Sequence, residues 1–93
     1  HVAITGRSKK SVQEAAEQLN KIGKGKAIGI EADVRSFDSQ VAAVAAVIEK
    51  WGKLDLLVAN AGVGFFAPIG QLTLAQWQET IDTNLTGVFF SLK

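Results

Sequence analysis

Four groups of residues in this chain carry side chains suited to binding or catalysis: Arg7-Ser8, Asp33-Val34, Asn60-Ala61-Gly62 and Asn84. Asn60-Ala61-Gly62 closes a short, almost wholly apolar run, Leu54 to Ala59. Small residues at such a point let a ligand approach the backbone closely. The Asn amide can bridge neighbouring strand ends through both its donor and its acceptor. The same tripeptide also suits a tight turn with no ligand, because Asn and Gly are common turn residues.

Arg7-Ser8-Lys9-Lys10 follows an apolar run, His1 to Thr5, and the glycine Gly6. At this point dinucleotide folds discriminate cofactors: an acidic residue takes a ribose 2′-hydroxyl, whereas an Arg accommodates a 2′-phosphate. No acidic residue stands here. A guanidinium suits a phosphate bidentately, and a helix N-terminus adds N–H groups. The competing reading is a solvated basic helix start. Asp33-Val34 ends a second apolar run, where a carboxylate can accept from an adenine amino group and Val can cover the base. An Asx-type turn before a capped helix explains the same Asp. Asn84 falls on the apolar face of a helical pattern, where an amide needs hydrogen-bond partners or an ordered water. It is either a core Asn locking helix to sheet or a residue that positions water beside a reaction centre.

The elements that must position these groups follow from periodicity. His1 to Thr5 reads as a strand. Ser8 is a candidate N-cap, and Val12, Ala15, Ala16, Leu19 and Ile22 fall at helical spacing, with Gly23 and Gly25 ending the helix. Lys26 to Ala32 reads as a second strand. Ser36 or Asp38 can cap a second helix whose apolar stripe is Val41, Val44, Ala45, Ile48 and Trp51, and Gly52 stops it. Leu54 to Ala59 has no polar alternation, so it reads as a third strand buried on both faces. A loop from Gly62 to Gly70 carries Phe65, Phe66 and the single proline, Pro68; its aromatics either touch substrate or tuck beneath the loop. Thr73 with Gln76 forms a capping box and Leu72 with Trp77 a hydrophobic staple. Trp77, Ile81, Leu85, Val88 and Leu92 then mark the expected buried face of a third helix, shared by Asn84.

Three strand–helix units in succession predict a doubly wound, Rossmann-like parallel α/β sheet. Ligands in such sheets lie beyond the carboxyl ends of the strands, where Arg7, Asp33 and Asn60 are expected to share one rim. Gly23 to Gly29 is glycine-rich, but it runs from helix to strand, the wrong context for a phosphate loop.

Composition narrows the function further. The chain has 93 residues, about half hydrophobic, a formal charge of +1 and no cysteine. It is therefore one folded domain or part of one, with no bulk electrostatic case for nucleic acid or membrane. Disulfides and cysteine-based zinc sites are excluded, and one histidine is a poor start for any other metal site. No apolar run reaches the roughly 20 residues that span a bilayer. The expected location is the cytoplasm.

Thr5-Gly6-Arg7, Ala32-Asp33-Val34, Leu57 to Gly62 and Ile81 to Phe89, in this order and spacing, resemble the short-chain dehydrogenase/reductase family. The resemblance covers the whole chain. It implies hydride transfer between a nicotinamide cofactor and a small carbonyl or alcohol substrate, in a homo-oligomer, usually a tetramer built on the helix beginning at Thr73. Asn84 corresponds to the family's catalytic Asn, whose main chain holds a water in a proton relay. Asn60, Ala61 and Gly62 would line the adenosine side of the cofactor, Asp33 and Val34 would hold adenine, and Arg7 and Ser8 would favour NADP over NAD.

The family's first strand with its glycine-rich phosphate loop, and its later Ser and Tyr-x-x-x-Lys, do not occur among residues 1–93, which contain no tyrosine. Residues 1–93 are thus expected to be a partial NAD(P)-binding domain, inactive alone. The missing first strand would lie between residues 1–5 and 54–59, so the chain by itself is expected not to fold stably. A non-catalytic nucleotide-binding or scaffold relative is the alternative function. A flavodoxin-like module gives Asn84 no role.

Overall fold

A computed structural model describes all 93 residues. The chain runs β1 (Val2–Gly6), α1 (Lys9–Ile22), β2 (Ala27–Glu31), α2 (Phe37–Trp51), a 3-10 turn (Ile69–Gln71), α3 (Leu74–Ile81), a π-helical turn (Asp82–Thr86) and α4 (Gly87–Leu92). β1 and β2 pair in parallel, with Val2 opposite Ala27 and Gly6 opposite Glu31. α1 is the crossover between them. The Asn20 side chain ties the end of α1 to the start of β2, donating to Ala27 O at 2.9 Å and accepting from Ala27 N at 2.8 Å.

The helix starts follow the local code. Ser8 accepts from Ser11 N, Ser36 accepts from Ser39 N, and Thr73 and Gln76 complete a capping box. α2 ends at Gly52, which takes a left-handed φ of 79°.

Residues 54–59 depart from expectation. They join no β-ladder and are exposed, with Leu56 at 77% and Val58 at 73%. A strand is defined by its neighbours, and no chain lies beside this one. Between it and β1 runs an apolar cleft of about 630 Å³, bordered by Val2, Ala3 and Thr5 on one side and Leu54 to Ala61 on the other. The run has the composition of a buried strand, but nothing in these residues buries it.

The helix faces also differ. α1 buries Val12 and Ala16 as its stripe requires, but leaves Ile22 exposed. α2 buries Gln40, Ala43 and Val47, whereas Val41, Val44 and Ile48 are exposed. The third helix buries Thr83 and Gly87, and leaves Trp77, Leu85 and Leu92 exposed. Both helices are apolar on more than one side. The inward side of the third helix carries the small residues Thr83 and Gly87, which let it lie close to the rest of the chain, whereas that of α2 carries Ala43 between Gln40 and Val47.

The result is an open molecule. Its radius of gyration is 15.1 Å, against about 12 Å for a globular domain of this length. Only 8 of 93 residues are buried.

Candidate functional site

The carboxyl ends of β1 and β2 point to the same edge, and the turn after residue 59 reaches it from the far side. Together they enclose a small cleft of about 170 Å³ lined by Arg7, Asp33, Val34, Arg35, Ala61 and Gly62, among others. Five of the residues singled out in the sequence thus meet. Asn60 borders the larger cleft beside β1 instead, and Ala61 borders both. Ser8 lies off the cleft, its hydroxyl capping α1 and accepting from Ser11 N at 3.3 Å and Ser11 Oγ at 3.0 Å.

Charge is concentrated on this rim. Arg7 has one long ionic contact, 4.0 Å to Glu79, and its side chain is 60% exposed. Its guanidinium therefore keeps most of its donors free for an anion. Asp33 is held from several directions. Arg35 Nε donates to both carboxylate oxygens at 3.0 and 3.1 Å, Arg35 Nη2 donates to Oδ2 at 2.6 Å, and Arg35 N donates to Oδ1 at 3.0 Å. The Asp33 backbone N–H donates to Ser39 Oγ at 3.0 Å. Arg35's side-chain bonds lower the Asp33 pKa from 3.8 to about 2, against an opposing effect of burial and with smaller help from the charge of Arg7. The same contact raises the pKa of Arg35. The Asx turn expected at Asp33 is present. Arg35 is not among the site residues that the sequence singles out, although an Arg two residues after an Asp that opens such a turn is well placed to close a fork on it.

Asn84 sits in the π-helical turn, which interrupts what the sequence reads as one helix. The Gly87 N–H donates to Asp82 O, five residues back, so Thr83 O loses its α-helical donor. Turns of this kind occur often at functional sites. The Asn84 side chain reaches the loop beyond Gly62. Its Nδ2 donates to Val63 O and its Oδ1 accepts from Val63 N, both at 2.8 Å. Asn84 therefore finds both partners, though in an exposed position rather than the buried one expected. The contact needs a small neighbour, since a Cβ on Gly62 would lie 3.3 Å from Asn84 Oδ1.

Thr83 and Gly87, absent from the sequence-based site, bring this helix against the rim. A Cβ on Gly87 would meet Val34 Cγ2 at 2.8 Å and Val34 O at 3.2 Å. Their signal is the pair of small residues four apart in Thr83-x-x-x-Gly87. Phe66 is fully exposed, so it does not tuck beneath its loop. No cluster of His, Asp and Glu is placed to hold a metal ion, and no helix is long and apolar enough to cross a membrane.

Parallel strands joined by a helical crossover, with a polar rim at the strand ends, define the Rossmann-like class of α/β folds. Solved structures agree. The 3-ketoacyl-ACP reductase from Sinorhizobium meliloti matches 98% of this chain with a TM-score of 0.87 and 42% identity, over 36% of its own length. The alcohol dehydrogenase from the archaeon Thermococcus sibiricus, solved in complex with 5-hydroxy-NADP, matches 97% of the chain with a TM-score of 0.89 and 30% identity, over 38% of its length. The trans-4-hydroxycyclohexanecarboxylate dehydrogenase of Sinomonas cyclohexanicum is 36% identical over 83 residues, covering 84% of this chain and 32% of that protein. The short chain dehydrogenase profile matches residues 1–93. The chain belongs to the short-chain dehydrogenase family, whose members here are dehydrogenases and reductases. It spans about a third of the length of these relatives.

Proposed function

We propose that residues 1–93 form the adenosine-side part of an NAD(P)-binding domain, in an oxidoreductase that uses NADP in preference to NAD. The reaction is hydride transfer between the nicotinamide and a small carbonyl or alcohol substrate. The observation that carries this reading is the convergence of Arg7, Asp33, Val34, Ala61 and Gly62 on one cleft at the strand ends.

The residues present fit such a cofactor. An exposed guanidinium at the end of β1 suits a ribose 2′-phosphate, and nothing acidic replaces it there to favour a 2′-hydroxyl. Val34 offers an apolar surface for a base and Asp33 an acceptor for its amino group. Ala61 and Gly62 leave room for close approach along the floor. When bound, the cofactor supplies the hydride-accepting or hydride-donating nicotinamide. The chain's own part is to orient the adenosine end and to fix the loop beyond Gly62 through Asn84. The π-helical turn takes the backbone at Asn84 out of the regular α-helical pattern, and the main chain of Asn84 would hold a water of a proton relay. The exposed apolar residues Trp77 of α3, Leu85 of the π-helical turn, and Phe89 and Leu92 of α4 support association with further copies of the chain in a homo-oligomer.

The test is a coupled absorbance assay of a full-length protein carrying residues 1–93, with NADPH and a panel of small ketones and aldehydes. Carbonyl-dependent oxidation of NADPH is expected. Tight cofactor binding with no turnover on any carbonyl or alcohol would overturn the enzymatic reading.

A further inference from the structure

We infer that Arg35 is a positioning residue that holds the Asp33 carboxylate as a fixed acceptor on the rim, and that this pair makes the site select a 6-aminopurine over a 6-oxopurine. The inference rests on the cofactor reading above and deepens it.

Asp33 has little freedom. Its backbone N–H is tied to Ser39 and its backbone oxygen accepts from Ser36 N at 3.0 Å, so both ends of the turn into α2 fix it. Its carboxylate is gripped by three N–H groups of Arg35: the backbone N, Nε and Nη2. A carboxylate offers roughly four acceptor sites. Arg35 Nε is shared between the two oxygens, so the three N–H groups leave room for one further donor, and the Asp33 side chain, which lines the cleft, is a third exposed. The remaining site can be met only by a donor, because an ionised carboxylate has no proton to give. Its lowered pKa of about 2 keeps it ionised throughout the neutral range.

Purines differ at this position in the required way. Adenine presents an amino group at C6, which donates. Hypoxanthine presents a carbonyl oxygen, which would face the carboxylate lone pair to lone pair. A site built around a fixed acceptor rejects the analogue that lacks the donor much more strongly than an apolar pocket rejects a change of size. Without Arg35 the carboxylate would be free to rotate out to water, and the base-selecting contact would weaken while Val34 and the floor remained.

The experiment compares dissociation constants for NADPH and for reduced nicotinamide hypoxanthine dinucleotide phosphate, in a full-length protein carrying residues 1–93. The wild type is expected to prefer the adenine form by about tenfold or more. In Arg35→Ala the preference falls below about threefold. Arg35→Lys, which keeps the charge but loses the planar fork, is expected to lie between. Asp33→Asn, whose amide can donate to a carbonyl, is expected to shift preference toward the hypoxanthine form. Far-ultraviolet circular dichroism checks that each variant is folded, and the Lys variant carries the test if the Ala variant is not. A folded Arg35→Ala or Arg35→Lys that keeps the full wild-type preference would overturn the role of Arg35 alone. So would tighter NADPH binding, since Arg35 would then be competing with the base. A wild type that binds neither dinucleotide would overturn the cofactor reading and this inference with it.

Discussion

The side-chain amide of Asn84 pairs with the backbone of Val63 as one strand pairs with another, one hydrogen bond in each direction and both at 2.8 Å. Asn20 makes the same reciprocal pair with Ala27. In each case an amide on a helix stands in for a missing ladder partner. At Asn84 the consequence is that the helix carrying the π-helical turn is fastened to the loop beyond Gly62 by two bonds. In Asn84→Ala the loop loses two bonds, each worth about 0.5–1.5 kcal/mol net. Turnover is expected to fall about tenfold or more, through misplacement of the reacting groups, with cofactor affinity changed less than about threefold. Steady-state kinetics beside a cofactor titration separate the two, and unchanged turnover would reduce Asn84 to a fastening.

The close approach of Gly87 to Val34 gives a second prediction. An added Cβ would sit 2.8 Å from Val34 Cγ2, so Gly87→Ala should push Val34 out of place. Overpacking of this kind costs about 1–3 kcal/mol, offset in part by about 1 kcal/mol of helix propensity. Val34→Ala removes the nearest atom, Cγ2, and leaves Cβ at 3.0 Å and O at 3.2 Å, so it relieves the clash in part. A double-mutant cycle in denaturant should therefore show positive coupling between the two sites. Strictly additive effects would mean that the helix does not press on the rim there.

The ion pair at Asp33 predicts a pH dependence of defined sign. A carboxyl whose folded pKa is depressed stabilises the protein fully above its ordinary pKa, and loses that contribution as pH falls through the folded value. Here the two values are 3.8 and about 2. The stability gap between wild type and Arg35→Ala should be flat above about pH 5 and about half gone by pH 3. Urea midpoints across this range measure it. A gap that widens on acidification would show that another group dominates.

What the sequence made legible was local. The caps at Ser8, Ser36 and Thr73, the two paired strands and the approach of Arg7 to Asp33 all depend on neighbours a few residues away or on strand direction, whereas Asn60, expected on the same rim, borders the larger cleft instead. What it hid depends on partners. Leu54 to Ala59 reads as a strand because it is apolar, but only a neighbouring chain can make it one. Val41 and Leu85 read as core because they are large, yet the small residues Ala43, Thr83 and Gly87 are the ones turned inward. The grip of Arg35 on Asp33 depends on a side-chain rotamer that spacing alone does not specify.

The exposed apolar surface predicts the behaviour of these residues in isolation. Leu56, Val58, Leu85 and Leu92 are each more than half exposed, and one edge of β1 faces an apolar cleft. Domains are stable by only about 5–15 kcal/mol, and a large exposed apolar patch favours association. A synthetic peptide of residues 1–93 should show no cooperative monomeric melt by circular dichroism, and should associate on concentration. A sharp, concentration-independent transition would contradict this.

The placement of Arg7 at the mouth of the cleft carries the claim on which the functional account turns. Its direct test is the ratio of kcat/KM for NADP and NAD, measured on a full-length protein carrying residues 1–93 and on its Arg7→Asp variant. The account predicts a wild-type preference for NADP of about tenfold or more, equivalent to about 1.4 kcal/mol, and a reversal toward NAD in the variant. Equal use of the two cofactors by the wild type, or a ratio that Arg7→Asp leaves unmoved, would contradict it.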